Sequence, residues 1–125
     1  FFLCANHFVQ VAGTTALLHA QGDVAHMREE YDRRRRFVVP ALRQVGLTVA
    51  SEPLGAFYVF ADARAWGDDS LALAGRLLEE AGVAVAPGID FGPGGEGFLR
   101  FSYATSLERL EEGARRLGEW AGRHV

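Results

Sequence analysis

The sequence predicts an α+β fold, a small and largely antiparallel sheet with helices packed on one face. Three observations carry that expectation. Four stretches repeat apolar residues at three- and four-residue steps, short β-branched or aromatic runs stand between turn-forming residues, and a chain of 125 residues suffices for one core but not for two.

From Asn6 to Ala20, the positions Phe8, Val11, Ala12, Thr15 and Leu18 keep helical spacing, and Gly22 marks the end of that helix. Asp23 is placed to cap a second, longer helix that carries Val24, Met27, Tyr31, Val38, Leu42 and Val45 up to Gly46. Pro40 removes a backbone donor and is expected to kink the helix rather than split it, because the apolar pattern continues on both sides. Leu47 to Ala50 reads as a short strand, Glu52-Pro53-Leu54-Gly55 as a turn and Ala56 to Asp62 as a strand. A third helix runs from Ser70 through Leu71, Ala74, Leu78 and Ala81 to Gly82. Val83 to Ala86 reads as a buried strand, Pro87 to Gly97 as a glycine-rich connection and Phe98 to Tyr103 as a strand. Thr105 with Glu108 forms a capping box for a last helix through Leu107, Leu110, Ala114, Leu117 and Ala121.

Composition narrows the functional classes. With 49% hydrophobic and 23% charged residues and a net charge of -3, the chain fits neither disorder nor a basic nucleic-acid footprint. Cys4 has no second cysteine to pair with, and no zinc-finger spacing exists, so neither disulfides nor a structural metal are expected to hold the fold. Apolar runs such as Ala56 to Ala61 are too short to span a bilayer, and Phe1 to Ala5 lacks the basic lead-in of a signal peptide. No membrane association is expected, and a cytoplasmic location is the default expectation. All thirteen basic residues are Arg, so this polypeptide alone offers no lysine amine for Schiff-base chemistry. The chain opens on Phe1 and Phe2 and holds one Met, Met27, which gives the expectation of a fragment cut from a longer protein. Such a fragment is expected to expose an apolar patch, with its N-terminal segment contributing.

Arg100 is the most informative position. Strand alternation places it with Phe98 and Ser102 on one face, with Leu99, Phe101 and Tyr103 on the other. A guanidinium there needs an anion, and its paired donors match a carboxylate, whether from an internal Asp or Glu or from a ligand. The connection Pro87 to Gly97 could cradle an anion through its amides, yet it lacks the spacing of phosphate loops and leads into a strand. It is expected to be a mobile connection whose glycines relieve tight turns, and mobility beside Arg100 would suit a lid. Arg33 to Arg36 follow Glu29, Glu30 and Asp32 at helical spacing, a solvated ion-paired face rather than a nucleic-acid patch. Cys4 with His7, and His19 with His26, lack further ligands at metal spacing, and no Ser, His and acid grouping supports a hydrolase.

Three ordered motifs resemble a known family. Pro53-Leu54-Gly55-Ala56-Phe57-Tyr58-Val59-Phe60, then Gly82 to Gly92, then Gly97-Phe98-Leu99-Arg100-Phe101-Ser102-Tyr103-Ala104 are similar to the C-terminal part of pyridoxal-phosphate-dependent class I/II aminotransferases of the aspartate aminotransferase type. The resemblance extends over nearly the whole chain. It implies that residues 1–125 are the small domain of a fold type I enzyme, packed on a larger domain that carries pyridoxal phosphate, its lysine and the aspartate facing the pyridine nitrogen. It implies amino acid and 2-oxo acid substrates and a homodimer, with this chain inactive alone. It assigns Arg100 to the arginine that grips the substrate α-carboxylate, and Phe57 and Phe91 to the pocket wall. A non-catalytic module that binds a carboxylate through Arg100 or another protein through Phe1 to Phe8, and the small domain of a related lyase or regulator, stand as alternatives.

Overall fold

The computed structural model describes residues 4–125. It divides into two units, one ending at Asp32 and one from Arg33 to Val125. The first unit holds helix α1 (His7–His19) and the start of helix α2 (Gln21–Gln44). Helix α1 buries none of its residues, and Phe8, Val11, Leu17 and Leu18 all stand exposed. Of the apolar start at Phe1 to Phe8, residues 1–3 lie outside the described residues.

The junction differs from the sequence expectation. Helix α1 ends at Ala20, whose N–H donates to the Ala16 carbonyl, so Gly22 does not terminate it but lies in the first turn of α2. Asp23 sits in that same turn rather than before it, where its charge suits the helix N-terminus. Helix α2 then runs unbroken through Pro40 to Gln44, so the proline does not split it.

The second unit contains the sheet. Strands β1 (Tyr58–Asp62), β2 (Ala86–Pro87) and β3 (Phe98–Ser102) lie in the order β1-β3-β2, both pairings antiparallel. The fold of the described residues is therefore α+β, with four α-helices and one small antiparallel sheet, as the sequence predicts. Central strand β3 sets Arg100 opposite Phe60 on one side and Ala86 on the other. The expected strand at Leu47 to Ala50 shrinks to a single bridge between Thr48 and Asp62, although burial still alternates through Leu47 and Val49.

Helix α3 (Ser70–Arg76) continues as one π-helical turn, Leu77–Ala81, and Gly82 closes it in the left-handed region. Its cap is Asp69, whose side chain accepts from the Ala72 N–H. Val83 N–H bonds back to the Leu77 carbonyl, so the helix end takes the donor that a strand would use. This is why the strand expected from Val83 begins only at Ala86, and why Val83 to Val85 are not fully buried. Helix α4 (Leu107–His124) is capped by Ser106, which accepts from Arg109 N–H, one residue beyond the expected Thr105.

The core follows the strand alternation. Val59 and Ala61 on β1, and Leu99 and Phe101 on β3, are buried together with Leu73, Leu77, Leu117 and Trp120. Burying each of the Val, Leu and Phe side chains among them contributes about 1.5–3 kcal/mol before the entropy of ordering them is counted. Alternate residues Tyr58, Phe60, Phe98 and Arg100 therefore lie on the opposite face, which is only partly covered.

Candidate carboxylate-binding site

Arg100 stands half-buried at the centre of that face. Its Cζ lies 4.7 Å from the centroid of the Tyr58 ring and 4.7 Å from that of Phe91, both within cation–π range. Among the described residues, no carboxylate comes within 4.0 Å of its guanidinium. The internal ion pair left open by the sequence is thus not formed. A guanidinium attracts ring faces without spending its N–H donors on them, so those donors remain available for a planar anion.

Other arginines of the second unit are held in internal ion pairs. Arg64, whose Cζ is 5.6 Å from the Phe98 ring, pairs with Asp62. The Arg64 hydrogen bond holds the Asp62 carboxyl below the usual carboxylate range. In α2, Arg35 donates to Glu52 at 2.7 Å and its side chain is only 18% exposed, so it is turned onto the turn rather than left on a solvated face.

Rings surround the cation. Phe60 stacks on Phe98 at 5.0 Å between centroids, with planes 2° apart, and meets the edge of Phe91 at 5.9 Å. Phe57 precedes β1 and its ring lies 4.4 Å from that of Tyr58. Of the residues expected at a site, Arg100 and Phe91 are therefore brought into contact, while Phe57 reaches the group through Tyr58. Sequence alone does not mark Tyr58, Phe60 and Phe98 as site residues. The alternation that places Phe98 beside Arg100 also places Tyr58 and Phe60 on this face once the β1 register is known.

The connection from Pro87 to Gly97 is more ordered than a mobile link. It folds into two 3₁₀ turns, Gly88–Phe91 and Pro93–Gly95. Gly88 and Gly95 meet backbone to backbone, so closely that a Cβ on Gly88 would lie 1.9 Å from the Gly95 carbonyl oxygen. The Glu96 carboxylate accepts from Ser70 N–H at 2.6 Å and from Gly97 N–H at 3.0 Å, and Ile89 N–H donates to the Ser70 hydroxyl at 3.2 Å. These bonds, Ser70 N–H first, hold the Glu96 carboxyl below its usual range. The loop base is thereby fixed to the start of α3, and Phe91 projects from the tip, half exposed, over Arg100.

A groove of about 630 Å³ lies elsewhere in the second unit, lined by residues including Val38, Leu42, Val83, Phe101 and Leu117. Arg100 does not line it. Among the described residues no helix is long and apolar enough to cross a membrane.

The model of the family described as aminotransferase class I and II matches residues 1–117. The chain belongs to that family. It is 43% identical over 116 residues to an aspartate aminotransferase of Pyrococcus abyssi, covering 91% of this chain and 30% of that protein. Aromatic-amino-acid aminotransferase 2 of Thermococcus litoralis is 40% identical, with 91% of this chain and 30% of that protein covered. A crystal structure of an aromatic aminotransferase from Pyrococcus horikoshii superposes with a TM-score of 0.89 at 42% identity, over 96% of this chain and 32% of that one. The chain thus spans about a third of the length of these aminotransferases.

Proposed function

We propose that this chain is the small domain of a fold type I, pyridoxal-phosphate-dependent aminotransferase, and that Arg100 binds the α-carboxylate of its substrates. The observation that carries the reading is the half-buried guanidinium packed on two rings with no carboxylate partner among the described residues. The relatives support it from another side. One is named for aspartate and one for aromatic amino acids, yet their identity to this chain is nearly equal. Those substrates share an α-carboxylate and differ in side chain, so the segment they have in common suits the shared group.

The residues present do not form a seat for pyridoxal phosphate, because the chain contains no lysine amine to bind it covalently. In this reading the cofactor belongs to a larger domain of the complete enzyme, where it supplies the electron sink for amino-group transfer. This chain supplies position. Two parallel N–H donors on Arg100 fix both oxygens of the carboxylate, which sets the direction of the bonds at the α-carbon. Phe91 lies over the guanidinium as the lid element and limits water there, with Phe57 as a more distant part of the wall. The enzyme in this reading exchanges an amino acid with a 2-oxo acid and works as a homodimer.

A screen of amino acids against 2-oxo acids, with the complete enzyme and pyridoxal phosphate, tests the assignment. Chromatography is expected to show a new amino acid and a new 2-oxo acid in equal amounts. Release of ammonia with no new amino acid would assign a lyase instead.

A further inference from the structure

We infer that Tyr58 is a positioning residue for Arg100, acting with Phe91 to hold the guanidinium ready for a carboxylate. The inference rests on the carboxylate-binding reading above and assigns a role to a residue that reading does not use.

An arginine side chain loses substantial rotamer freedom when it is fixed in one place. Proteins commonly meet that cost with an internal carboxylate, as Arg64 does with Asp62 and Arg35 with Glu52. Such a partner would occupy the donors that a substrate needs. Arg100 is treated differently: two aromatic rings, from two separate elements, stand at the same 4.7 Å from its Cζ. A ring face attracts the cation and leaves the N–H groups unspent, so the side chain is held in place without being neutralised.

Both plates are themselves fixed. Tyr58 opens β1 in register with Ser102, two pairs along from the Phe60 and Arg100 pair and on the same face, and Phe57 lies against its ring. Phe91 is held by the edge contact with Phe60, which stacks on Phe98. The Tyr58 hydroxyl makes no hydrogen bond among the described residues, so the ring rather than the hydroxyl carries the role.

The test uses the complete holoenzyme with Tyr58→Leu, Tyr58→Phe and Phe91→Leu. Phe91 is 51% exposed, so Phe91→Leu keeps the proposal testable should Tyr58→Leu fail to fold. The leucine variants are expected to raise KM for the amino acid on the order of 3- to 10-fold with kcat unchanged. Calorimetric titration with succinate, a non-reacting dicarboxylate, should show the same loss of affinity, and Tyr58→Phe should match the wild type. In an Arg100→Ala background, Tyr58→Leu should add nothing. A lower melting temperature with unchanged KM and succinate affinity would reduce Tyr58 to a packing residue. Tyr58→Phe weakening binding as much as Tyr58→Leu would transfer the role to the hydroxyl and overturn the inference. If Arg100→Ala alone left KM and succinate affinity unchanged, the carboxylate reading itself would fall. If Arg100→Ala weakened both and the leucine variants did not, only the positioning role would fall.

Discussion

Replacing Gly88 by Ala puts a methyl carbon 1.9 Å from the Gly95 carbonyl oxygen and 2.6 Å from that of Phe98. Ordinary contact begins at 3.4 Å, so the Gly88 and Gly95 backbones must part by about 1.5 Å, and neither obstacle is a flexible side chain. Forcing apart well-packed groups in this way costs about 1–3 kcal/mol. The displacement falls on the base of the loop that carries Phe91. If the loop moves as a unit, the Phe91 ring retreats from 4.7 Å to roughly 6 Å from Arg100, the limit of useful cation–π attraction. The variant should therefore melt earlier and bind substrate more weakly, measured by differential scanning fluorimetry and by KM in the complete enzyme. Gly94→Ala is the control, since a Cβ there meets nothing within 4 Å. Gly88→Ala matching Gly94→Ala in both measurements would refute the claim that backbone contact at the loop base places Phe91.

Two further outcomes follow from the same structure. Glu96→Gln should destabilise the protein at neutral pH, because the carboxylate holds Ser70 and Gly97 N–H groups. The folded-state Glu96 pKa is lowered from about 4.5, so its contribution is full above that value and is lost as pH falls through the lower, folded one. Melting curves from about pH 7 to pH 3 should show the gap between wild type and variant closing only below the ordinary glutamate range, and a gap constant across that series would contradict it. Leu99→Ala, at a fully buried position on β3, should cost about 2–5 kcal/mol in urea unfolding, whereas a loss below about 1 kcal/mol would mean that the Leu99 face is not the packed one.

Helix and strand periods were readable in the sequence because they are imposed by burial, which acts over many residues at once. Alternation alone set Leu99 and Phe101 on one face and Arg100 on the other, and the first of these is the buried one. Local punctuation was less readable. Asp69 with Ser70, and Thr105 with Ser106, are adjacent pairs that can each cap a helix, and the residue that takes the extended backbone conformation is chosen by the chain on both sides. Gly22 looked like a stop signal, yet the turn it occupies needs no left-handed residue, whereas Gly82 does adopt that conformation and does end its helix. At the site, strand alternation marked Arg100 as a cation in need of an anion and the family resemblance assigned it the substrate carboxylate, but neither pointed to Tyr58 and Phe60, since their proximity depends on the register between β1 and β3. The order within the 87–97 loop was hidden for a similar reason. Its glycines permit close backbone approach as readily as motion, and only the pairing of Gly88 with Gly95 distinguishes the two.

Whether Arg100 holds the acid end of the substrate is tested most directly by a single substitution. Arg100→Lys keeps the charge but cannot present two parallel donors, so steady-state kinetics of the complete enzyme should show KM rising on the order of 10- to 100-fold. A KM unchanged from wild type, in a variant that folds normally and binds its cofactor, would remove Arg100 from the substrate and contradict the account.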